Sequence, residues 1–243
     1  MDFALSEDQL ELKQAAHAWL ADRFPLDRDW EQPDDHWGEL KELGWLDVAE
    51  AGLGFVEEAL LLEEMGYVCY PGCYLGHVAS VPGDGGVETV DPTRSFNRVD
   101  ETPRFRAAAA AEALGVAQRA LDLGVEHAKT RTQFGKPIGT YQAVSHPLAQ
   151  TYTDVELARS LVYWAAWCVA EEDERAPLAA AAAKSFATEA AVAACERSIQ
   201  VHAGIGFTWE HPLHRFYKRA QWLEGIGARP PELRLEIADA LLA

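Results

Sequence analysis

The chain has 243 residues, 49% of them apolar and 10% aromatic, with 21 basic against 39 acidic side chains and a net charge of −18. This composition excludes a disordered chain and supplies enough apolar surface for one large or two modest domains without a disulfide or metal staple. The negative balance, unbroken by a basic stripe, argues against nucleic acid and membrane surfaces as partners, although Lys129-Thr130-Arg131 with Lys136 leaves room for a local anion site.

In chain order, Ser6 is placed to cap a first helix, with Gln9 completing a capping box and Leu10, Leu12, Ala16, Trp19 and Leu20 near helical spacing. This helix is expected to end before Pro25. A second helix is predicted over 34–43, stopping at Gly44, and a third over 55–65, stopping at Gly66, each glycine standing where a left-handed residue ends a helix. Residues 71–103 turn to Gly, Pro, Asp and Thr, with short β-prone pieces at 86–90 and 95–99, and read as a connector with one hairpin. Thr102 and Pro103 then open a long Ala-rich helix to about Thr130. The stretch 135–139 breaks it, and further helices are expected over 141–170, from Pro177 to Gly204, over 212–223 and over 231–242. The fold class is therefore mainly α: a short N-terminal helical unit (1–70), a reduced β connector (71–103) and a C-terminal four-helix bundle (104–243).

The N-terminus lacks a basic region followed by an apolar one, and no stretch reads as a charge-free membrane span, so a cytoplasmic protein is expected. Cys69, Cys73, Cys168 and Cys195 contain no second pair at zinc spacing and read as free thiols, and His202, His211 and His214 lack the carboxylates or thiolates of a metal set.

Three runs carry a specific signal: Arg131-Thr132-Gln133-Phe134-Gly135-Lys136-Pro137-Ile138 with Tyr141-Gln142-Ala143-Val144, then Gln200-Val201-His202-Ala203-Gly204-Ile205-Gly206-Phe207, then Leu223-Glu224-Gly225. In letters, order and spacing they resemble the acyl-CoA dehydrogenase family, closely over 104–243 and more loosely over 1–65 through Phe3-Ala4-Leu5-Ser6-Glu7-Asp8-Gln9 and Glu42-Leu43-Gly44-Trp45-Leu46. The resemblance implies FAD, an acyl-CoA thioester substrate and α,β-desaturation. It also implies a middle β-domain, of which this chain has room only for a remnant, with 91–99 in the place of its last strand region. A chain so shortened is not expected to complete a flavin site alone.

Family members are dimers of dimers in which one subunit's bundle reaches a flavin held mainly by its neighbour. On that pattern Arg131, Phe134, Gln142, Gln200 and Gly204 match cofactor contacts, the Arg fork suiting a pyrophosphate and the glycine leaving room for close backbone approach. Glu224 matches the base that removes the α-proton, a task helped by a helix C-terminus and by the apolar Trp222 and Leu223 beside it. Relatives that carry the base on the first bundle helix do so where Phe105 stands here, and Arg106 next to it matches a substrate contact. Gly225-Ile226-Gly227 departs from the hydroxyl-bearing pair common in the family.

The leading expectation is a subunit that pairs with a full-length acyl-CoA dehydrogenase in a heterodimer or heterotetramer, shares FAD with it, and acts on a bulky steroid-side-chain thioester. Two alternatives stand beside it: a flavin-free thioester isomerase, lyase or cyclase using Glu224, and a non-catalytic assembly subunit.

Overall fold

The computed structural model describes residues 5–31, 34–48, 51–79 and 101–242. The predicted strand pieces at 86–90 and 95–99 lie outside the described residues. Nine α-helices and one two-stranded hairpin occur among the described residues: α1 (Glu7–Arg23), α2 (Trp37–Glu42), α3 (Phe55–Val68), α4 (Tyr74–Ala79), α5 (Pro103–Thr130), β1 (Thr132–Gln133), β2 (Lys136–Pro137), α6 (Gln142–Ala170), α7 (Ala176–His202), α8 (Leu213–Gly225) and α9 (Pro230–Leu242). The fold is the expected one, mainly α with a C-terminal bundle.

Local chemistry sets several ends where they were predicted. The Ser6 hydroxyl accepts from the Gln9 amide at 3.2 Å while the Gln9 side chain accepts from the Ser6 amide at 3.0 Å, closing the capping box. Thr102 caps α5 by accepting from Phe105 N at 3.1 Å, with Pro103 in the first turn. Gly44 takes the left-handed conformation (φ 75°) behind α2.

Elsewhere tertiary contacts override the local signal. Gly66 does not stop α3, which runs on to Val68 and ends at a left-handed Cys69. Residues 74–79, within the stretch read as connector, form the short helix α4, which packs on α3 and α5. The last bundle helix continues through Glu224 and Gly225, and α7 ends at His202, with Ala203 rather than Gly204 at positive φ.

Alanine builds the bundle core. Ala107 to Ala111 of α5 and Ala179, Ala180, Ala183, Ala187, Ala191 and Ala194 of α7 are all buried, so these parallel helices approach closely without ordering long side chains. Antiparallel α6 and α8 flank them, and α9 packs on α7. The segment 176–207 is long and apolar enough to cross a membrane by length and composition, but it carries charges such as Lys184 and Glu189, and 67% of its most apolar window is buried inside the protein. It is the central helix of the bundle.

Charged side chains fasten the N-terminal unit to the bundle. Glu63 of α3 accepts from Lys13 Nζ (2.6 Å), Tyr163 Oη (2.7 Å) and Arg159, joining α1, α3 and α6, while Glu64 pairs with His17 Nδ1 at 2.7 Å. Arg28 donates to the carbonyls of Val68 and Cys69 at 2.9 Å, and Arg219 of α8 to that of Tyr70 at 2.8 Å, satisfying the end of α3. All four cysteines are free thiols.

Candidate functional site

The candidate residues fall into two places. The first is the end of the bundle where α5 and α7 finish and α6 begins; there the His127 and His202 rings stack with centroids 4.2 Å apart. Arg131, Phe134, Gln142, Gln200 and Gly204 all lie at this end and all are exposed. No carboxylate pairs with the Arg131 guanidinium among the described residues, so its donors remain available.

The hairpin shapes this corner. Gln133 pairs with Lys136, leaving Phe134 and Gly135 as a two-residue turn with φ of 53° and 81°. Positive φ at both central positions is the type I′ signature, which favours Asn, Asp or Gly at the first position. Phe134 occupies it instead, at a strain cost of about 1 kcal/mol or more, and its ring is 92% exposed. Tyr141 meets that ring edge-on at 6.5 Å and carries the Lys136 ammonium over its face at 4.4 Å. Two further aromatics, Phe207 at the end of the second motif run and Trp209, which the sequence did not single out, are 73% and 72% exposed on the segment following α7. The corner thus presents the exposed Phe134 ring three residues from a guanidinium that no carboxylate pairs among the described residues, an arrangement suited to a flat, phosphate-bearing ligand.

His202 is buried, and its Nδ1 lies 2.8 Å from the Ser198 carbonyl. His211 packs against it at 4.4 Å, and burial, aided by His202, His127 and His214, pushes the His211 imidazole down to about 4.

The second place is the last turn of α8. Glu224 is half-buried there, next to buried Leu223 and Ile226. Partial burial raises its pKa above the usual carboxylate value, and Glu189 and Glu196 of α7 push in the same direction. Nearby, Lys184 of α7 donates to the carbonyls of Ile226 and Ala228, and Glu101 accepts from Ala228 N at 2.7 Å. Arg106 is buried and committed to carboxylates, its Nε to Glu101 at 2.8 Å and its fork to Glu236 of α9 at 2.6 and 3.1 Å. The sequence signal for this cluster is Lys184, the one charge between Ala176 and Thr188.

Lys184, which holds the turn behind Glu224, precedes His202 by 18 residues of continuous helix, about 27 Å of rise, while the Glu224 side chain itself faces Glu189 and Glu196 further along α7.

A model of the acyl-CoA dehydrogenase C-terminal domain matches residues 101–228, and one of the acyl-CoA dehydrogenase N-terminal domain matches residues 6–83. Acyl-CoA dehydrogenase IpdE2 of Mycobacterium tuberculosis is 41% identical over 164 residues, covering 62% of this chain and 50% of that protein. Probable acyl-CoA dehydrogenase YngJ of Bacillus subtilis is 41% identical over 156 residues, covering 63% and 40%. The chain thus spans half or less of the length of these curated relatives. Among solved structures, one from the ChsE4-ChsE5 complex of Mycobacterium tuberculosis superposes with a TM-score of 0.82 at 21% identity, covering 100% of this chain and 99% of that one. The Tcur3481-Tcur3483 steroid ACAD gives 0.78 at 23%, covering 97% and 98%. Butyryl-CoA dehydrogenase from Megasphaera elsdenii gives 0.82 at 18%, covering 100% of both. At such identities the structural likeness speaks for the fold, and the family rests on the matched domain models. The chain belongs to the acyl-CoA dehydrogenase family.

Proposed function

We propose that this chain is a subunit of a cytoplasmic, flavin-dependent acyl-CoA dehydrogenase and completes the FAD site of a full-length partner in a hetero-oligomer. The observation that carries the reading is Phe134, held exposed and strained in a type I′ turn three residues after Arg131, which no carboxylate pairs among the described residues. Strain of this kind persists where the ring has something to meet. The fit to FAD is chemical: a free guanidinium for the pyrophosphate, Phe134 as a packing surface, the exposed amides of Gln142 and Gln200, and open space around Gly204, where an added Cβ would meet nothing within 4 Å.

Bound FAD would supply hydride acceptance for α,β-desaturation of an acyl-CoA. The part of this chain in that chemistry is Glu224, which takes the α-proton of the thioester, its raised pKa bringing it closer to a working base. Arg106 is the substrate-side cation, which requires its fork to Glu236 to open. The organisation that goes with this reading is an N-terminal helical unit (1–70), a connector that is a remnant of the middle β-domain (71–103), and the C-terminal helical bundle (104–243). A bulky steroid-side-chain thioester is the substrate class favoured by likeness to the Tcur3481-Tcur3483 steroid ACAD.

The test is the visible spectrum and mass of the purified chain, alone and co-expressed with a full-length dehydrogenase. Flavin present only in the co-complex is the expected result; yellow, soluble single chain overturns it. Thioester turnover by flavin-free protein would favour an isomerase, lyase or cyclase, and an unchanged complex rate in Glu224→Gln an assembly subunit.

A further inference from the structure

An ammonium withdrawn from water is costly unless hydrogen bonds replace its hydration. Lys184, 1% exposed in the middle of α7, meets that requirement on a single short segment, donating to the carbonyl oxygens of Ile226 and of Ala228, the latter at 2.7 Å. Those carbonyls belong to the turn 225–228, which begins one residue after Glu224. Glu101 closes the turn from the other side. Its Oε1 accepts from Ala228 N at 2.7 Å and lies 3.8 Å from Lys184 Nζ, while its Oε2 receives Arg106 Nε at 2.8 Å. Arg106 then forks onto Glu236, so the four charges balance as two cations and two anions.

Gly227 bears independent witness to how tightly the turn is held. Its φ is 64°, and a Cβ there would stand 1.4 Å from Glu101 Oε1. Gly227 is thus the residue that lets the Glu101 carboxylate reach the backbone. A half-buried carboxylate on the last turn of a helix is only as well placed as the backbone behind it, and here that backbone is fixed by an ammonium rather than by water.

We propose that Lys184 is a positioning residue for Glu224: with Glu101 it locks the turn 225–228 and so holds the last turn of α8 in one place. The proposal rests on the reading of Glu224 as the base. A displacement of about 1 Å in a reacting group costs on the order of 100-fold in rate, so the effect falls on kcat rather than on KM.

The experiment uses the co-expressed flavin-containing complex and compares Lys184→Met, which keeps the stem and removes the ammonium, with Lys184→Arg, which restores a cation. For Lys184→Met, faster backbone hydrogen exchange at 225–228 is expected, together with a kcat lower by about 10–100-fold and a KM within about threefold. Lys184→Arg is expected to recover part of both. Should Lys184→Met fail to assemble, Gly227→Ala and Glu101→Gln loosen the turn from its other side and are expected to act in the same direction. Unchanged exchange and unchanged kcat in folded Lys184→Met, or in both substitutes, overturn the proposal. An unaltered rate in Glu224→Gln overturns the reading of Glu224 as the base and the positioning role with it. A rate lost in Glu224→Gln but kept in Lys184→Met overturns the positioning role alone.

Discussion

Gly66 of α3 and Glu112 of α5 meet backbone to backbone: a Cβ on Gly66 would stand 2.0 Å from the Glu112 carbonyl oxygen. The contact is reciprocated nearly one turn away, where a Cβ on Gly115 would stand 1.8 Å from the Glu63 carbonyl. Two helices that touch through their backbones have no flexible side chain to move aside, so either substitution must push α3 away from α5. Gly115→Ala is expected to cost about 1–3 kcal/mol or more, lowering Tm by roughly 3–10 °C in a thermal melt. Gly204→Ala, with nothing within 4 Å and no positive φ, is the control and is expected to leave Tm unchanged.

The same crossing carries a buried ion pair, Arg219 of α8 with Glu112 of α5, whose guanidinium also donates to the Tyr70 carbonyl at 2.8 Å. Removing one partner leaves an uncompensated charge in the core, whereas removing both leaves no buried charge and costs packing and the hydrogen bond to the Tyr70 carbonyl. Glu112→Leu alone is expected to destabilise by about 3–5 kcal/mol, and the Glu112→Leu, Arg219→Met pair by clearly less. A double-mutant cycle of urea midpoints checks this, and additive losses would sink it.

Stability should also fall in mild acid because of His211. Burial beside His202 and His127 lowers its folded pKa to about 4, against about 6.5 for an unfolded histidine. Between those values the unfolded chain binds a proton that the folded chain does not, so stability is full above pH 6.5 and declines as pH drops toward 4. His127 and His202, shifted down mainly by burial, add to the same slope. In His211→Gln the midpoint of denaturant unfolding is expected to vary less with pH across that window; an identical slope would place the acid sensitivity elsewhere.

These relationships show what the sequence could and could not disclose. Caps are local chemistry, so Ser6 with Gln9, Thr102 with Pro103 and Gly44 were legible from a few neighbouring letters. Gly66 misled because a packing glycine and a terminating glycine look alike until the partner helix is in place. The helix at 74–79 was hidden by its Gly and Pro surroundings, and its stability comes from packing on α3 and α5 rather than from propensity. Among site residues, the run from Arg131 to Phe134 was readable as a motif, yet the turn type that exposes the ring was not. The grip of Lys184 on the turn behind Glu224 joins residues 42 and 44 positions apart and leaves no periodic trace.

Arg131 and Phe134 allow the cofactor reading to be separated from stability, because both side chains are exposed and neither supports the core. A guanidinium lost from a phosphate contact is worth about 1.5–3 kcal/mol, so Arg131→Ala is expected to weaken flavin retention by the hetero-oligomer roughly 10- to 100-fold at unchanged Tm of this chain. Phe134→Gly has the sharper signature. Glycine accepts the positive φ that phenylalanine resists, so the substitution relieves strain and is expected to raise chain stability by up to about 1 kcal/mol. If the ring packs against the cofactor, the same substitution weakens flavin retention, and the two measurements move in opposite directions. Flavin titration of the reconstituted complex beside a thermal melt of the chain reads both. A Phe134→Gly variant that gains stability and keeps its flavin would show that the exposed ring meets something other than the cofactor.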